Sequence, residues 1–308
     1  MIEASGLADY GVFLLTLAAI YAVFTLALNV QWGMTGLFNI GIAGFYAIGA
    51  YTTAIVTTPP DAGHLGGFGL PFAVGLVAAM AVSGVIAVAV GLITLNLRAD
   101  YLAIASIGIA EILRLIFKNE TWLGNGVRGL SGIARPFSDD PLVYLVVVLA
   151  VLGLVYWAVE RARLSPWGRV LRAIRENELG AQAAGKDVFR FRLAAFVLGS
   201  AVMGLGGALY AHFVGFISPE AFEPVFATFL VWVMLIAGGS GSNKGAVLGA
   251  FVIWALWSGT ELLTAQLPAS LVTQASAVRV LLIGVLLQVI LLRRPQGLLP
   301  EEKPKRLR

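Results

Sequence analysis

The chain alternates long apolar runs with short polar connections. No charged residue occurs between Asp9 and Asp61, or again between Asp61 and Arg98. A helix needs about 20 mostly apolar residues to cross the hydrocarbon core of a membrane. The pattern therefore predicts an all-α polytopic membrane bundle of eight or nine transmembrane helices. The predicted spans are residues 10–30, 33–58, 70–95, 101–117, 142–159, 193–216, 225–237, 246–263 and 280–292.

Two of these predicted spans are irregular. The span 33–58 carries five glycines and Asn39, a composition typical of a broken or closely packed helix. The span 225–237 is too short for a simple crossing, so we expect either a full tilted span or a re-entrant piece. The glycines of the early span are Gly33, Gly36, Gly41, Gly44 and Gly49.

Composition supports a membrane protein and excludes several soluble classes. Hydrophobic residues make up 59% of the chain and charged residues 12%, against roughly 45–50% and 25% in soluble domains. The chain has no cysteine, which excludes a disulfide scaffold and zinc–thiolate sites. We expect one transmembrane domain over residues 1–308.

The basic residues predict the orientation. Fourteen of the 21 Lys and Arg lie in two segments, the loop 160–192 and the tail 293–308. The positive-inside rule assigns both segments to the cytoplasm. With nine crossings, the N-terminus then lies outside and the C-terminus inside, and the net charge of +4 needs no nucleic-acid partner.

The segment 165–192 is the strongest functional candidate. Ser165 and Pro166 are typical of a helix start, and the apolar residues that follow recur at helical spacing. Two interpretations remain open on these residues alone. The segment is either an amphipathic helix that docks into a groove of a cytoplasmic protein, or a basic loop that touches anionic lipid. The apolar residues are Val170, Leu171, Ile174 and Leu179.

Polar residues inside the predicted spans have structural and functional interpretations. Glu111 and Arg114 are three residues apart, so they share a helix face and can form an ion pair, or else face a pathway. Asn29 and Asn39 either line a translocation pathway or satisfy hydrogen bonds between helices.

Other motifs narrow the chemistry. Gly241, Gly245 and Gly249 repeat every four residues, which allows close helix packing. Lys244 precedes glycine rather than Ser or Thr, so the segment is not a phosphate-binding loop. Two widely separated histidines predict no metal site, and without a paired-acid or Ser/His constellation we expect no enzyme.

Several segments resemble ABC permeases of the branched-chain amino acid type, the LivM-like subunit. The segment 168–178 reads GRVLRAIRENE and resembles their cytoplasmic coupling region. Further matches are ordered along most of the chain. They are GMTGLFNIG at 33–41, AEILRL at 110–115, GVRGLSG at 126–132, GGSGSNKGAVLGA at 238–250 and RPQGLL at 294–299.

The resemblance implies a permease subunit of an ATP-driven importer in a bacterial inner membrane. The implied partners are a second related permease, two cytoplasmic ATP-binding subunits that hold ATP and Mg, a periplasmic substrate-binding protein, and membrane lipid. The implied substrates are branched-chain or other small amino acids, with urea or short amides as the alternative. The residues assigned to coupling are Arg169, Arg172, Ile174, Arg175, Glu176, Glu178 and Gly185.

One departure from the pattern concerns the coupling loop. Many ABC importers carry Glu-Ala-Ala, three residues and then Gly, which 178–185 (ELGAQAAG) only approximates. Two other functions stay open: an ion-coupled secondary transporter using Glu111, and a membrane scaffold.

Overall fold

The computed structural model describes residues 4–60, 63–138, 140–264, 281, 284–285 and 287–301, and this part is almost entirely helical, as predicted. The α-helices in chain order are α1 (Ala4–Leu28), α2 (Ile42–Thr57), α3 (Phe72–Thr94), α4 (Ala99–Asn119), α5 (Thr121–Gly124), α6 (Pro141–Leu164), α7 (Pro166–Glu176), α8 (Glu178–Ala183), α9 (Val188–Val214), α10 (Pro224–Gly238) and α11 (Asn243–Thr264). Two-residue strands, β1 (Leu130–Ser131) and β2 (Phe216–Ile217), pair antiparallel.

Within the described ranges, five helical stretches are long and apolar enough to cross a membrane. The apolar helix Ile42–Thr57 is shorter. The number of eight or nine spans stays a prediction, because α4 and α11 are not among the five stretches and residues 280, 282, 283 and 286 of the predicted span 280–292 lie outside the described residues. The five stretches are Asp9–Gly33, Phe72–Thr94, Pro141–Leu164, Val188–Val214 and Pro219–Gly238.

Helix α2 lies at the centre of the bundle. Most of its side chains are buried, and it packs against α3, α4, α9 and α10. Glycines permit the tightest of these contacts: a Cβ added to Gly49 would lie 2.5 Å from the Cα of Gly204. Such backbone contact is typical of small residues at helix crossings in membranes.

The early glycine-rich span is broken. Helix α1 continues into a π-helical turn, Asn29–Gly33, and residues 36–41 are not helical before α2 begins. Gly36 has φ +73°, a left-handed conformation that glycine adopts without a Cβ penalty. π-Turns often occur at functional sites, so the break is a candidate functional feature.

The short segment 225–237 forms a continuous helix. Helix α10 covers it, and a 3-10 turn at Pro219–Phe222 precedes it. With that turn the stretch reaches 20 residues. Pro224 at the first helical position suits a helix start, because its missing N–H has no partner there in any case.

Candidate functional site

Helices α7 and α8 form the predicted coupling segment. Ser165 caps α7 by accepting a 3.3 Å hydrogen bond from the Gly168 N–H, and Leu171 and Ile174 are buried. Asn177, in extended conformation, ends α7 and caps α8 by accepting a 2.9 Å bond from the Gly180 N–H. The segment is therefore two short helices with a sharp turn between them.

This turn changes the position expected for Leu179. The helical spacing places Leu179 in one continuous helix with Leu171 and Ile174, and this continuity is wrong. Because Asn177 interrupts the helix, Leu179 lies on α8, where 78% of it is exposed while Ala181 is buried. The segment therefore presents a large apolar side chain on a mostly polar surface.

The predicted coupling residues lie in two groups. Arg169, Glu176 and Gly185 are exposed, and Gly185 has φ +74° just after α8. The less exposed ones contact distant parts of the chain: Glu178 forms a 2.9 Å ion pair with Arg192 at the start of α9, and Arg172 and Arg175 approach Glu301 in the C-terminal segment.

A cleft of about 480 Å³ lies beside α8. Its lining includes Phe38 from the non-helical residues 36–41 and Leu97 and Arg98 from the α3–α4 connection. Helix α8 contributes Gln182, and α9 contributes Arg192. The cleft therefore joins the candidate coupling segment to the break that follows α1.

Arg175 connects α7 to the π-turn and to the C-terminal segment. Its guanidinium donates to the carbonyl of Gly33 and to Glu301 at 2.8 Å. Burial disfavours the charged guanidinium, but the hydrogen bonds to Glu301 and Glu176 outweigh it and raise the pKa of Arg175 above its ordinary value. The side chain therefore stays charged at any physiological pH.

A buried polar network begins at Asn29, in the π-turn. Its Nδ2 donates to Asn243 Oδ1 at 2.8 Å, and its Oδ1 accepts from the Gly241 N–H at 2.8 Å. Asn243 in turn donates to Glu160 of α6 at 2.7 Å, and Glu160 pairs with Arg163. The network connects the ends of α1 and α6 with the start of α11.

Asn39 belongs to a second buried set of hydrogen bonds inside the break. Its Nδ2 donates to Gln31 Oε1 at 2.8 Å, and its Oδ1 accepts from the Gly41 N–H at 2.8 Å. Gln31 also donates to the carbonyl of Phe196 on α9 at 2.8 Å. All these side-chain groups are paired, which holds the non-helical segment in one conformation.

Glu111 and Arg114 form an ion pair on α4. Arg114 donates to both carboxylate oxygens of Glu111, at 2.9 and 2.6 Å. Arg114 also approaches Glu220 at 3.4 Å, and Lys118 pairs with Glu220 at 2.8 Å. The charges therefore connect α4 to the turn before α10.

The three repeated glycines do not share one role. Gly245 and Gly249 lie where α11 meets α10. A Cβ added to Gly245 would lie 2.7 Å from the Gly238 oxygen, and one added to Gly249 would lie 2.8 Å from the Gly238 Cα. Gly241 instead lies in the turn before α11, with φ +85°. A Cβ added to Gly241 would lie 2.7 Å from Glu301 Oε2.

The buried histidine makes hydrogen bonds between elements. His212 Nδ1 donates to the carbonyl of Ala134 at 2.7 Å, so its Nε2 accepts from the Thr53 hydroxyl at 3.0 Å. Among the described residues, no group of three or more His, Cys, Asp or Glu is placed to hold a metal.

Sequence reasoning missed three residues of this site. Glu160 and Asn243 stand at helix ends, where polar residues are ordinary, and Glu301 belongs to a charged tail. A possible signal for Asn243 is its place inside the glycine-rich motif 238–250. Nothing local distinguishes Glu160 or Glu301 from solvated surface charges.

Comparison with known proteins identifies the family. Residues 11–291 match the family model described as branched-chain amino acid transport system / permease component. The chain belongs to this family. The permease family membership confirms the resemblance that the motifs predicted, and with it a transport component rather than an enzyme.

Individual members of the permease family align over most of the chain. LivM of Escherichia coli K12, a high-affinity branched-chain amino acid transport system permease protein, is 33% identical over 94% of this chain and 70% of its own length. The probable LivM of Methanocaldococcus jannaschii is 29% identical over 92% of this chain and 91% of its own length. LivH of Salmonella typhimurium is 23% identical over 77% of this chain and 80% of its own length. No solved structure matches the chain.

Proposed function

We propose that the chain is the membrane-spanning permease subunit of an ATP-driven importer of branched-chain or other small amino acids. In this proposal two separate ATP-binding subunits hold ATP and Mg, a second related permease completes the membrane domain, and a periplasmic binding protein delivers the substrate. Residues 1–308 form one transmembrane domain in the bacterial inner membrane. The N-terminus lies outside and the C-terminus in the cytoplasm.

The observation that carries the proposal is the match of residues 11–291 to the branched-chain amino acid permease family; the exposed Leu179 supports the position of the coupling segment. Leu171 and Ile174 are buried, whereas Leu179 is exposed on α8, three residues along the chain from each of the exposed Glu176 and Gln182. An exposed apolar side chain flanked in sequence by polar residues is compatible with a protein–protein contact. We assign 165–186 as the cytoplasmic coupling segment and Leu179 as its central contact with an ATP-binding subunit.

The polar residues at the break have a positioning role in this proposal. The side-chain groups of Asn29 and Asn39 are used in hydrogen bonds within the chain. We propose that they hold the break between α1 and α2 while the transported solute passes elsewhere along the bundle. Alternating access then requires α7 and α8 to move with the ATP-binding subunits, and the helices around the break to follow.

The test is purification of the tagged chain from its native membrane in mild detergent, followed by mass spectrometry of the copurified proteins. We expect ATP-binding subunits and a second permease with the natural chain. Leu179→Asp should lose the ATP-binding subunits and keep the second permease. Val127→Asp is the matched control, since Val127 is 61% exposed in the connection between α4 and α6, at the other end of α6 from α7.

Recovery of the chain alone, with sodium- or proton-driven uptake after reconstitution, would overturn the importer proposal in favour of a secondary transporter. That alternative needs a titratable group in the membrane, and Glu111 is the candidate. Its bidentate pairing with Arg114 favours the ionised form and disfavours proton carriage. Uptake of urea or a short amide by the intact complex would keep the mechanism and change the substrate.

A further inference from the structure

The C-terminal segment returns to the bundle and lies against the turn between α10 and α11. The Leu298 N–H donates to the carbonyl of Ala237, and the Leu299 N–H to that of Gly238, both at 2.9 Å. A Cβ on Gly297 would stand 2.5 Å from the Gly239 nitrogen. We call residues 296–301 the strap, because this segment is fastened by backbone hydrogen bonds and close glycine contacts.

The strap ends on α7. Both carboxylate oxygens of Glu301 face arginines of that helix: Oε2 accepts from Arg175 at 2.8 Å, and Oε1 lies 3.9 Å from Arg172. Only 23% of the Glu301 side chain is exposed. A carboxylate that is mostly shielded from water and shared by two arginines contributes more free energy of stabilisation than an exposed surface ion pair.

Arg175 carries this contact on to the break. Its guanidinium donates to the carbonyl of Gly33, the last residue of the π-turn, and a Cβ on Gly36 would be 3.5 Å from the Arg175 side chain. Gly33 also lies against the α10–α11 turn, since its Cβ would stand 2.6 Å from the Gly241 nitrogen. Four segments therefore meet at Arg175: α7, the π-turn, the α10–α11 turn and the strap.

We propose that Glu301 is a positioning residue for energy coupling, holding Arg175 against the Gly33 carbonyl so that movement of α7 reaches the break at 36–41. This inference rests on the proposed function. Without Glu301, water or the exposed Glu176 is a more favourable partner for the Arg175 guanidinium than the Gly33 carbonyl. Arg175 already contacts Glu176 at 3.0 Å. The contact between α7 and the π-turn would then loosen although the helices remain folded.

The experiment measures uptake per ATP hydrolysed by the complete complex in proteoliposomes. Glu301→Gln keeps the shape of the side chain and removes its charge. We expect about a tenfold fall in this ratio, the size of effect that loss of one charge-assisted hydrogen bond allows. The matched control is Glu120→Gln, the same change at an exposed carboxylate after α4, whose hydrogen bond comes from Trp122; it should leave the ratio within about twofold.

A double-mutant cycle tests the pairing itself. Because Glu301 acts through Arg175 in this proposal, the double variant Arg175→Gln with Glu301→Gln should lower the ratio no further than Arg175→Gln alone, and additive losses would overturn the inference. An unchanged ratio in Glu301→Gln would overturn the inference. Loss of subunit assembly or of thermal stability in Glu301→Gln would also overturn it, since that would show a purely structural role. Failure of the proposed function is distinct, because the natural chain would then copurify without ATP-binding subunits.

Discussion

The Asn29 amide donates a 2.8 Å hydrogen bond to the side-chain oxygen of Asn243, across 214 residues of sequence. The oxygen of the same Asn29 side chain accepts from the Gly241 N–H. One fully buried side chain thus connects the π-turn after α1 to the beginning of α11. Buried groups of this kind stabilise a fold through the cost of leaving their partners unpaired.

Removal of Asn29 should destabilise the protein strongly. Asn29→Ala leaves the Gly241 N–H and Asn243 without their partner, which we expect to cost about 1–3 kcal/mol. The measurement is thermal unfolding in detergent, with Asn243→Ala and the double variant completing a cycle. Thr57→Val is the control, because Thr57 bonds only its own helix backbone at Thr53. Additive single effects would contradict a direct coupling between the two asparagines.

The crossing of α2 and α9 should tolerate no added methyl group. Gly49→Ala brings a Cβ to 2.5 Å from the Gly204 Cα, so the helices must separate, at an expected cost of about 1–3 kcal/mol. Gly153→Ala on α6 is the matched control, since no atom lies within 4 Å of its added Cβ. Size-exclusion profiles and melting temperatures in detergent measure both variants. Equal stability of the two would show that the crossing relaxes freely.

Glu111 should prove to be structural rather than a proton carrier. Arg114 holds both of its oxygens, so Glu111→Gln should retain uptake within about threefold and leave its pH profile unchanged. Arg114→Gln should be worse, since it also removes a cation near Glu220. Reconstituted uptake between pH 5 and 8 provides the measurement. Abolished uptake in Glu111→Gln with normal assembly would instead favour the secondary transporter.

His212 should hold the connection that contains β1. Its ring donates to the carbonyl of Ala134 and accepts from Thr53, so His212→Phe detaches the connection from α9 and α2. We expect faster trypsin cleavage at the exposed Arg128, with a loss of stability of about 1–3 kcal/mol. Thr57→Val again serves as the control. An unchanged cleavage rate would show that the remaining contacts, the strand pairing and the Arg135 hydrogen bond to the Phe213 carbonyl, hold this connection without His212.

Polar residues in apolar surroundings were visible in the sequence, but their partners were not. Asn29, Asn39, Glu111 and Arg114 stand out because a polar group in a membrane span is costly and needs a partner. The Glu111–Arg114 pair follows from helix spacing alone, three residues apart. The partner of Asn29 depends instead on which helix end folds back beside the π-turn, and no local pattern specifies that.

The prediction for Leu179 failed for a related reason. The apolar residues continue at helical spacing from Leu171 through Ile174 to Leu179, and the prediction assumed one uninterrupted helix. Asn177 competes with the helix backbone through its own side chain, capping α8 at Gly180, as asparagine often does at helix ends. The interruption places Leu179 on α8, where it is exposed.

The sequence by itself determined the helical membrane class, the places of most apolar segments, the family and the amphipathic segment at 165–186. These follow from transfer free energy and helix period, which act over about 20 residues and can be read locally. The tertiary structure alone decided which glycines meet, which amides pair, and that Glu301 reaches Arg175. Those contacts join residues up to 214 positions apart, and only the packing of whole helices brings them together.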